Sequence, residues 1–300
     1  MFECQKRYSL ELENGDGWCL AGVKNAAAWV ERLAAIMQLE PVGANSLPNI
    51  IFCETEDLSS VKDSFGDKNG NPISLRGGKG WFVYDLKTML LWRHERIPDV
   101  IAEIRNNENY EIEIINMWNA LQPIYQKAEE AGGLPLHAAL LEFDGRGIII
   151  AAPGDTGKST CCQRVPSTWN PLGDDETLVV LDGKKGYRAH PFPTWGDYLN
   201  KRPGKTWNVQ VSIPASAIFF LEQSGSDGAA PIEQARAAVL VNRSARQVSE
   251  RFWGGLDGEE KKKLGLRLFD NACRLAKAVP AFILRASANG KFWEEIEKVL

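Results

Sequence analysis

The chain has 300 residues, of which 44% are hydrophobic and 25% are charged, with both signs interspersed along the sequence. Its length suffices for one large domain or two small ones. The net charge of −4 means that the chain has no excess of basic residues of the kind that binds nucleic acid. The polar start lacks the layout of a secretory signal, and no apolar run approaches the roughly 18 residues that span a bilayer. We therefore expect a cytoplasmic protein with no nucleic-acid or membrane partner.

The first half of the chain, residues 1–131, predicts a small α+β domain. Apolar and polar residues alternate in the expected strands, and apolar residues recur every three or four positions in the expected helices. The strands are Arg7–Glu13, Leu47–Cys53 and a pair within Trp81–Arg93 that turns near Leu86; the helices are Asn25–Leu39, Pro98–Arg105 and Ile112–Glu130. Pro123 is expected to kink or divide the last helix. Thr55–Gly80, rich in Asp, Ser, Asn and Gly, is expected to be a loop or an irregular hairpin.

The second half, residues 132–300, predicts a mixed α/β domain that begins after Ala131-Gly132-Gly133. Asp144-Gly145 is a two-residue hairpin signal between the strands Leu140–Phe143 and Gly147–Ala151. Further strands are expected over Thr177–Leu181, Ala217–Glu222 and Ala281–Arg285, and helices from Lys158 onward and over Ile232–Phe252, Lys261–Lys277 and Phe292–Leu300. Gly186–Lys205 is rich in proline and is expected to be mainly loop.

The cysteines do not indicate a metal site. The chain has six of them and three histidines. None forms a C-x-x-C pair, and two are adjacent, which suits neither a zinc site nor a simple disulfide. Free cysteine is usually buried, so we expect reduced thiols in the core at Cys4, Cys19, Cys53, Cys161, Cys162 and Cys273.

The segment from Ile148 to Thr160 carries the clearest functional pattern. A buried strand leads into a small flexible loop and then into a helix that begins with Lys-Ser-Thr. Successive N–H groups of such a loop form a nest for anions, and the helix start adds free donors. Lys158 can reach the β- and γ-phosphates of a nucleotide, and the Ser159 hydroxyl is placed to ligate Mg²⁺. The predicted phosphate-binding residues are Ala152, Pro153, Gly154, Asp155, Thr156, Gly157, Lys158, Ser159 and Thr160.

This segment departs from the pattern G-x-x-x-x-G-K-[ST] at one position. Ala152 stands where the first glycine belongs, and Gly154 supplies flexibility two residues later. The alternative interpretation of the segment is a surface turn that caps a helix. The order of strand, loop and helix favours the phosphate site.

Acidic residues follow the predicted helix directly before the next apolar strand. A nucleotide site needs a carboxylate at the end of a neighbouring strand to hold Mg²⁺, and a cation would relieve the repulsion within Asp174-Asp175-Glu176. We expect this segment to return beside the strand before the loop; the alternative is an exposed acidic turn. His137 precedes the strand pair and either assists proton transfer and phosphate binding or is a structural hydrogen-bond partner.

Three segments together resemble a known family. Leu136-His137-Ala138-Ala139, Ala152–Thr160 and Gly173-Asp174-Asp175-Glu176 have the order and spacing of the HPr kinase/phosphorylase catalytic domain and, more distantly, of phosphoenolpyruvate carboxykinase. The resemblance covers roughly residues 133–300. It is closest in character to the HPr-kinase-like proteins found beside peptide-modification genes, such as the SynChlorMet cassette kinase-like protein, which share the Pro-Phe-Pro found here at residues 191–193.

The resemblance implies a P-loop fold with a mixed sheet, and transfer of a phosphoryl group from ATP to a hydroxyl with Mg²⁺ as cofactor. Lys158 would then neutralise the phosphates, and Ser159 and Asp174 would hold the metal. Asp175 would orient or deprotonate the acceptor, and His137 would lie near the transferred group. Relatives often form oligomers, so a homo-oligomer is also implied. Two departures stand out: Asp155 replaces a common glycine, and the Glu-Ile-Arg-Gly signature is absent, which argues against HPr as substrate.

Residues 191–207 combine aromatic and basic side chains. They form either a lid or peptide-docking surface, or packing elements that pin an irregular loop to the core. Arg188, just before this stretch, is the candidate for an added cation that stabilises the transition state. The rings are Phe192, Trp195, Tyr198 and Trp207, and the cations are Lys201, Arg202 and Lys205.

The leading hypothesis is an ATP-dependent kinase whose acceptor is a Ser or Thr of a ribosomally made peptide or small protein, or a metabolite hydroxyl. The alternative is a non-catalytic nucleotide-binding scaffold or regulator of a peptide-modifying complex. Ala152 and Asp155 favour the scaffold, whereas His137 with the acidic pair favours the kinase. A carboxykinase-like enzyme is a third hypothesis, but the sequence does not reveal the additional metal and carboxylate ligands that it needs.

Overall fold

The computed structural model describes residues 6–43, 46–64, 80–183, 186–200 and 204–300. Two compact units emerge from the contacts within the chain. Unit 1 comprises Met1–Glu11, Gly15–Ile124 and Trp195–Thr206, and unit 2 comprises Leu12–Asn14, Tyr125–Thr194 and Trp207–Leu300. The division at residue 131 that the glycine pair suggests remains a prediction.

The regular elements of the described residues alternate along the chain. The strands are β1 Arg7–Glu11, β2 Gly17–Gly22, β3 Asn49–Glu54, β4 Trp81–Asp85, β5 Met89–His94, β6 Ile97–Ile104, β7 Leu134–Phe143, β8 Arg146–Ala151, β9 Asn170–Gly173, β10 Glu176–Leu181, β11 Tyr187–Phe192, β12 Ile213–Gln223, β13 Gly228–Pro231 and β14 Ala281–Ala286. The helices are α1 Ala26–Ile36, α2 Leu58–Asp63, α3 Tyr110–Asn119, α4 Gln122–Glu130, α5 Lys158–Arg164, α6 Trp195–Leu199, α7 Gln234–Ser249, α8 Gly258–Ala278 and α9 Phe292–Glu297.

Unit 1 is built on a mixed six-stranded sheet with the strand order β1-β2-β3-β6-β5-β4. β2, β3 and β6 are parallel, and the outer pairs are antiparallel. The predicted helix over Pro98–Arg105 is wrong, because this segment is β6, paired between β3 and β5. Val100 and Ile101 are β-branched and suit a pleated strand. Their pairing with β3 is a long-range contact that helical spacing cannot reveal.

Unit 2 contains the larger sheet, ordered β11-β10-β7-β8-β12-β14-β13, with β9 also paired to β7. Its centre is parallel, since β8, β12 and β14 run in one direction. β7 is antiparallel to β8, and β10 is antiparallel to β7. Ile148, Ile149 and Ile150 of β8 are fully buried, as expected for a central strand covered on both faces. The two sheets make the protein mixed α/β, as predicted.

The turn between β7 and β8 has the backbone that its residues favour. Asp144 has φ 51° and Gly145 has φ 72°, the pair of positive values that a two-residue hairpin turn requires. The predicted hairpin is therefore confirmed, and β7 extends further back than expected, to Leu134. That extension brings His137 into the sheet.

Helices cover the sheet of unit 2. One core cluster joins alternate residues of β7 and β8 to Cys161, Trp169 and Phe292 beneath α5 and α9. α7 packs on β7 and α8 and buries small residues such as Ala237, Val241 and Ala245. Small side chains let a helix approach a strand closely. In the described parts of the chain, no helix combines the length and apolar character needed to cross a membrane.

Most other predicted elements agree with the structure to within a few residues. Pro123 does mark a boundary, since α3 ends at Asn119 and α4 begins at Gln122. The prediction of loops is partly wrong, because Thr55–Gly80 contains α2 and Gly186–Lys205 contains β11 and α6. Residues 65–79, residues 201–203 and Cys4 lie outside the described residues. Strands β2, β9 and β13 were not predicted. The described cysteines are free thiols, buried at Cys19, Cys53, Cys161 and Cys162 and partly exposed at Cys273.

Candidate active site

Strand direction brings three segments to one edge of the unit 2 sheet. β8 ends there at Ala151, and the carboxyl ends of the parallel strands β12 and β14 lie at the same edge. Ala138 of β7 is opposite Ala151, and His137 is opposite Glu176 of β10. The acidic segment was expected to lie directly beside β8. This is wrong, because β7 lies between β10 and β8.

The loop after β8, residues 152–157, is held by hydrogen bonds within the loop and from β12. The Thr156 hydroxyl donates to Pro153 O at 2.9 Å, and Gln223 Nε2 donates to Thr156 O at 3.3 Å. Gly157 has φ 105°, a conformation that side-chain-bearing residues rarely adopt. A Cβ atom at Gly154 or Gly157 would meet nothing within 4 Å. Open space therefore lies beside both glycines.

Lys158 begins α5 and is the central cation of the site. Its side chain is buried, with 6% of the residue exposed. Nζ donates to Ala152 O at 3.1 Å and lies 3.0 Å from His137 Nε2. Burial lowers the pKa of Lys158, and Asp175 and Asp174 act in the opposite direction. Among the residues that the structure describes, no carboxylate forms an ion pair with it.

His137 connects Lys158 to the acidic segment. Its Nδ1 lies 2.5 Å from Gln247 Oε1, which only accepts, so Nδ1 carries a proton. Its Nε2 lies 3.0 Å from both Lys158 Nζ and Asp175 Oδ1. Neutral His137 accepts at Nε2 from Lys158, whereas the imidazolium donates to Asp175. The protonation of His137 thus selects which of the two neighbours it binds.

The three acidic residues have separate partners. Asp174 Oδ1 accepts from the Thr194 hydroxyl at 2.5 Å, and Asp175 faces His137. Glu176 is buried, and its Oε2 accepts from the Tyr125 hydroxyl at 2.6 Å. Different partners thus hold the three carboxylates, and relief of their repulsion by a bound cation stays a prediction. In the part of the chain that the structure describes, no group of three His, Cys, Asp or Glu side chains is arranged to hold a metal.

Glu176 is a structural anchor that sequence reasoning did not identify. Burial and the nearby Glu176 raise the pKa of Tyr125. Burial lowers the pKa of Arg251 to about 10, while Glu176 acts against that change. Interior side chains thus hold Glu176 at the start of β10. The preceding residue, Asp175, therefore lies at the edge of the sheet, where it faces His137.

The other predicted site residues differ in their surroundings. Ser159 and Thr160 are exposed at the start of α5, and the Ser159 hydroxyl makes no hydrogen bond with a described residue. Arg188 pairs in register with Val180, four residues along β10 from Glu176, or about 13 Å at the usual strand rise. Its guanidinium donates to Ser212 Oγ and O, both at 2.8 Å. The structure therefore does not bring Arg188 to the Lys158–His137–Asp175 group.

The aromatic residues of segment 191–207 are packing elements in this structure. Phe192, Trp195, Tyr198 and Trp207 are all buried. In unit 2, the Phe192 ring lies 5.3 Å from that of Tyr125. Buried rings do not offer an exposed docking surface. Of the basic residues there, Lys205 pairs with Asp197 at 3.1 Å, while Lys201 and Arg202 lie outside the described residues.

Two residues of α7 complete the surroundings of His137, and sequence reasoning missed both. Gln247 holds the ring at Nδ1, and the Ser244 hydroxyl donates to His137 O at 3.2 Å. They lie more than one hundred positions along the chain from His137. Their local signal is weak: two polar side chains stand three residues apart on a helix that buries Ala237, Val241 and Ala245.

Two cavities flank the 152–157 loop, and Thr156 and Gln223 line both. The α7 cavity has a volume of about 390 Å³ and is bounded by Leu240, Arg243, Ser244 and Gln247. The α5 cavity has a volume of about 370 Å³ and is bounded by Thr160, Arg164, Ser224 and Ser287. Small-molecule sites start at roughly 300 Å³. Each cavity is large enough for part of a ligand that crosses the loop.

Comparison with known proteins assigns the chain to a family. No curated protein matches it at a significant level. Residues 100–300 match the family described as SynChlorMet cassette protein ScmC. The match includes the loop, His137, the acidic segment and α7. Because it covers more than half of the chain, the protein belongs to the SynChlorMet cassette protein ScmC family.

Proposed function

We propose that this protein binds Mg²⁺–ATP at the 152–157 loop and transfers the terminal phosphoryl group to a hydroxyl. One observation carries the proposal: Lys158 is a buried ammonium that has no anionic partner among the described residues and lies at the end of a loop with open glycines. Burial of an unpaired charge is unfavourable. A polyphosphate in the loop would provide the missing negative charge, with charge-assisted hydrogen bonds to Nζ.

Two oxygen-bearing side chains of the site would suit a magnesium ion. Mg²⁺ prefers oxygen ligands and usually keeps several waters, so one or two protein oxygens together with phosphate suffice. The Ser159 hydroxyl, exposed at the start of α5, and the partly exposed carboxylate of Asp174, held by Thr194, would be these ligands. We attribute the anion affinity to the loop and Lys158 rather than to the helix start, because α5 has only seven residues.

The chemistry would depend mainly on position and charge. Mg²⁺–ATP would supply the phosphoryl group and the metal charge that neutralises it. Asp175 would take the acceptor's hydroxyl proton as the acceptor oxygen bonds to the terminal phosphorus and the bond to the bridging oxygen breaks. Protonated His137 would hold Asp175 through Nε2–H, and Lys158 would neutralise the charge left on ADP.

The acceptor that we propose is a Ser or Thr of a peptide or small protein. Its support is the family, which is described as a cassette protein, because proteins of one cassette commonly act on a shared substrate. A ribosomal peptide precursor from a neighbouring gene is therefore the first acceptor to test. Transfer of ³²P from labelled ATP to that peptide, and none to its Ser/Thr→Ala form, is the expected result.

Calorimetry of Mg²⁺–ATP binding tests the nucleotide site. Lys158→Met should weaken binding at least about tenfold, since hydrogen bonds to charged groups contribute about 1.5–3 kcal/mol. Lys277→Met is the matched control, because Lys277 is exposed on α8, away from the loop. Equal affinities of wild type and Lys158→Met would remove the proposal. EDTA should lower affinity or turnover, and indifference to EDTA would count against Ser159 and Asp174.

A non-catalytic nucleotide-binding scaffold is the second candidate, and Asp155 favours it. This residue is exposed on the loop with φ 59°, so a negative charge stands close to the proposed phosphates. Asp175→Asn separates the two candidates. A kinase should lose turnover and keep ATP binding in this variant, whereas a scaffold should bind ATP without turnover already in the wild type.

A further inference from the structure

Resting on the proposed function, we propose that the nucleoside of the bound triphosphate lies in the α5 cavity, and that the α7 cavity serves the acceptor side. A triphosphate that crosses the 152–157 loop has two ends. The terminal phosphate end is defined by Lys158, His137 and Asp175. The two cavities lie on different sides of the loop, so the position of one end determines the cavity that the other end enters.

The sheet order separates the two ends. β7 and β10, which carry His137 and the acidic segment, lie on one side of β8, and β12 and β14 lie on the other. The three parallel strands β8, β12 and β14 end at the same edge. Ligands of α/β folds commonly bind outside the carboxyl ends of such parallel strands. β12 and β14 line parts of both cavities, but only the α5 cavity extends to the residues just beyond their carboxyl ends, Ser224 and Ser287.

The α7 cavity belongs to the terminal phosphate end because it shares a wall with His137. Ser244 and Gln247, which line this cavity, hydrogen-bond to His137 O and Nδ1. Among the described residues, none that lines the α5 cavity forms a side-chain hydrogen bond or an ion pair with His137 or Asp175. An acceptor in the α7 cavity would therefore lie beside the residues that we assign to the transferred group, and we place the nucleoside in the other cavity.

The wall of the α5 cavity is preformed. Arg164 of α5 donates to Ser287 O at 2.8 Å and also to Gly290 O. Asp227 Oδ1 accepts from Ser287 N at 2.6 Å. A Cβ atom at Gly290 would lie 1.9 Å from Asp227 Oδ2, so only glycine permits this closely packed turn. The turn after β14 is thereby fixed against α5, and a ligand need not order it.

The lining of the α5 cavity suits a nucleoside. Ala286, Ala288, Ser224 and Ser287 are small, and Leu221 adds an apolar surface. Hydroxyl groups and the ends of two strands offer hydrogen-bond partners at the rim. A cavity with apolar walls and a few polar groups is the usual surrounding of a small heterocyclic ligand. Thr156, Gly157 and Thr160 of the same cavity connect it directly to the phosphate loop.

The test compares the binding of Mg²⁺–ATP with that of Mg²⁺–tripolyphosphate, which has the phosphates but no nucleoside, by calorimetry. Ala288→Trp should fill the α5 cavity from its exposed rim. It should weaken ATP binding at least about tenfold while changing tripolyphosphate binding by less than about twofold. Leu240→Trp, in the α7 cavity, is the opposing variant and should leave the ratio of the two affinities unchanged. Val239→Trp, exposed on α7 outside both cavities, is the matched control and should change neither affinity.

Tripolyphosphate binding also reports that each variant is folded. If Ala288→Trp does not fold, Ser224→Phe, in the same cavity beside Ala286, should give the same selective loss. The inference is overturned if the ratio of the two affinities stays at the wild-type value, or if Leu240→Trp selectively weakens ATP, which would place the nucleoside in the α7 cavity. A wild-type protein that binds neither compound overturns the proposed function itself, and the inference with it.

Discussion

Acid should destabilise unit 2 through one buried histidine, His190 of β11. The residue is fully buried. Its Nδ1–H donates to Val209 O at 2.9 Å, and its Nε2 accepts from Glu13 N at 3.3 Å. Both ring nitrogens are thus occupied in the manner that only the neutral ring allows. A proton added at Nε2 would face the N–H of Glu13.

The size of the effect follows from the shift of the pKa. Burial lowers the pKa of His190 from 6.5 to about 4. The unfolded chain, with the ordinary pKa, binds the proton more readily than the folded chain. The contribution to stability is therefore complete above pH 6.5 and is lost as the pH falls from 6.5 to 4. Between pH 7.5 and pH 4.5 the loss is about 2.5 kcal/mol.

Urea unfolding at the two pH values measures this loss. His190→Asn removes the titrating ring, so its free energy of unfolding should fall by about 2.5 kcal/mol less than that of the wild type between pH 7.5 and 4.5. Ile149→Val is the matched control. It costs about 1 kcal/mol at a fully buried position of the same unit and should keep the wild-type dependence on pH. An equal fall in wild type and His190→Asn would refute the reasoning.

Three further predictions concern stability and the loop. Burial raises the pKa of Glu129 to about 7, so the contribution of its protonated form to the free energy of unfolding is lost as the pH rises through 7. Glu129→Gln keeps the acceptor for Ser249 and should increase the free energy of unfolding in urea by about 1–3 kcal/mol at pH 8.5 and by little at pH 5. Equal increases at both pH values would contradict this. Gly157→Ala should cost about 1–2 kcal/mol, because of its φ of 105°, and should weaken ATP binding, whereas Gly154→Ala should cost less than half as much in thermal unfolding. Asp257→Ala removes the capping box of α8 and should cost about 1 kcal/mol by the same measurement; an unchanged Tm would count against the cap.

The secondary structure could be predicted where local chemistry decides it. Asp144-Gly145 and the strand, loop and helix around Gly157 were recognised because turn conformations depend on the residues themselves. β6 shows where this fails. Its apolar positions Ile97, Val100 and Ile101 have helical spacing, but the segment is a strand between β3 and β5. Periodicity does not distinguish the two when partners lie far away in the chain.

The candidate site also has residues that the local sequence predicted and residues that it did not. Lys158, His137 and Asp175 were selected by residue type, order and family resemblance, and the structure places His137 within hydrogen-bonding distance of the other two. The interior role of Glu176 was missed, because it depends on Tyr125, which is 51 residues earlier. Gln247 was missed for the same reason. Residues that position a site usually come from other elements, so a local pattern does not contain them.

The sequence by itself determined the turn of the hairpin, the glycine loop before Lys158 and the types of charge available at the site, because steric and chemical properties of neighbouring residues decide these features. Only the tertiary structure decided which of three successive carboxylates faces His137, that Lys158 is buried without a counter-charge among the described residues, and that β7 separates β10 from β8. Burial and strand order depend on contacts between distant segments, and such contacts exist only once the chain is folded.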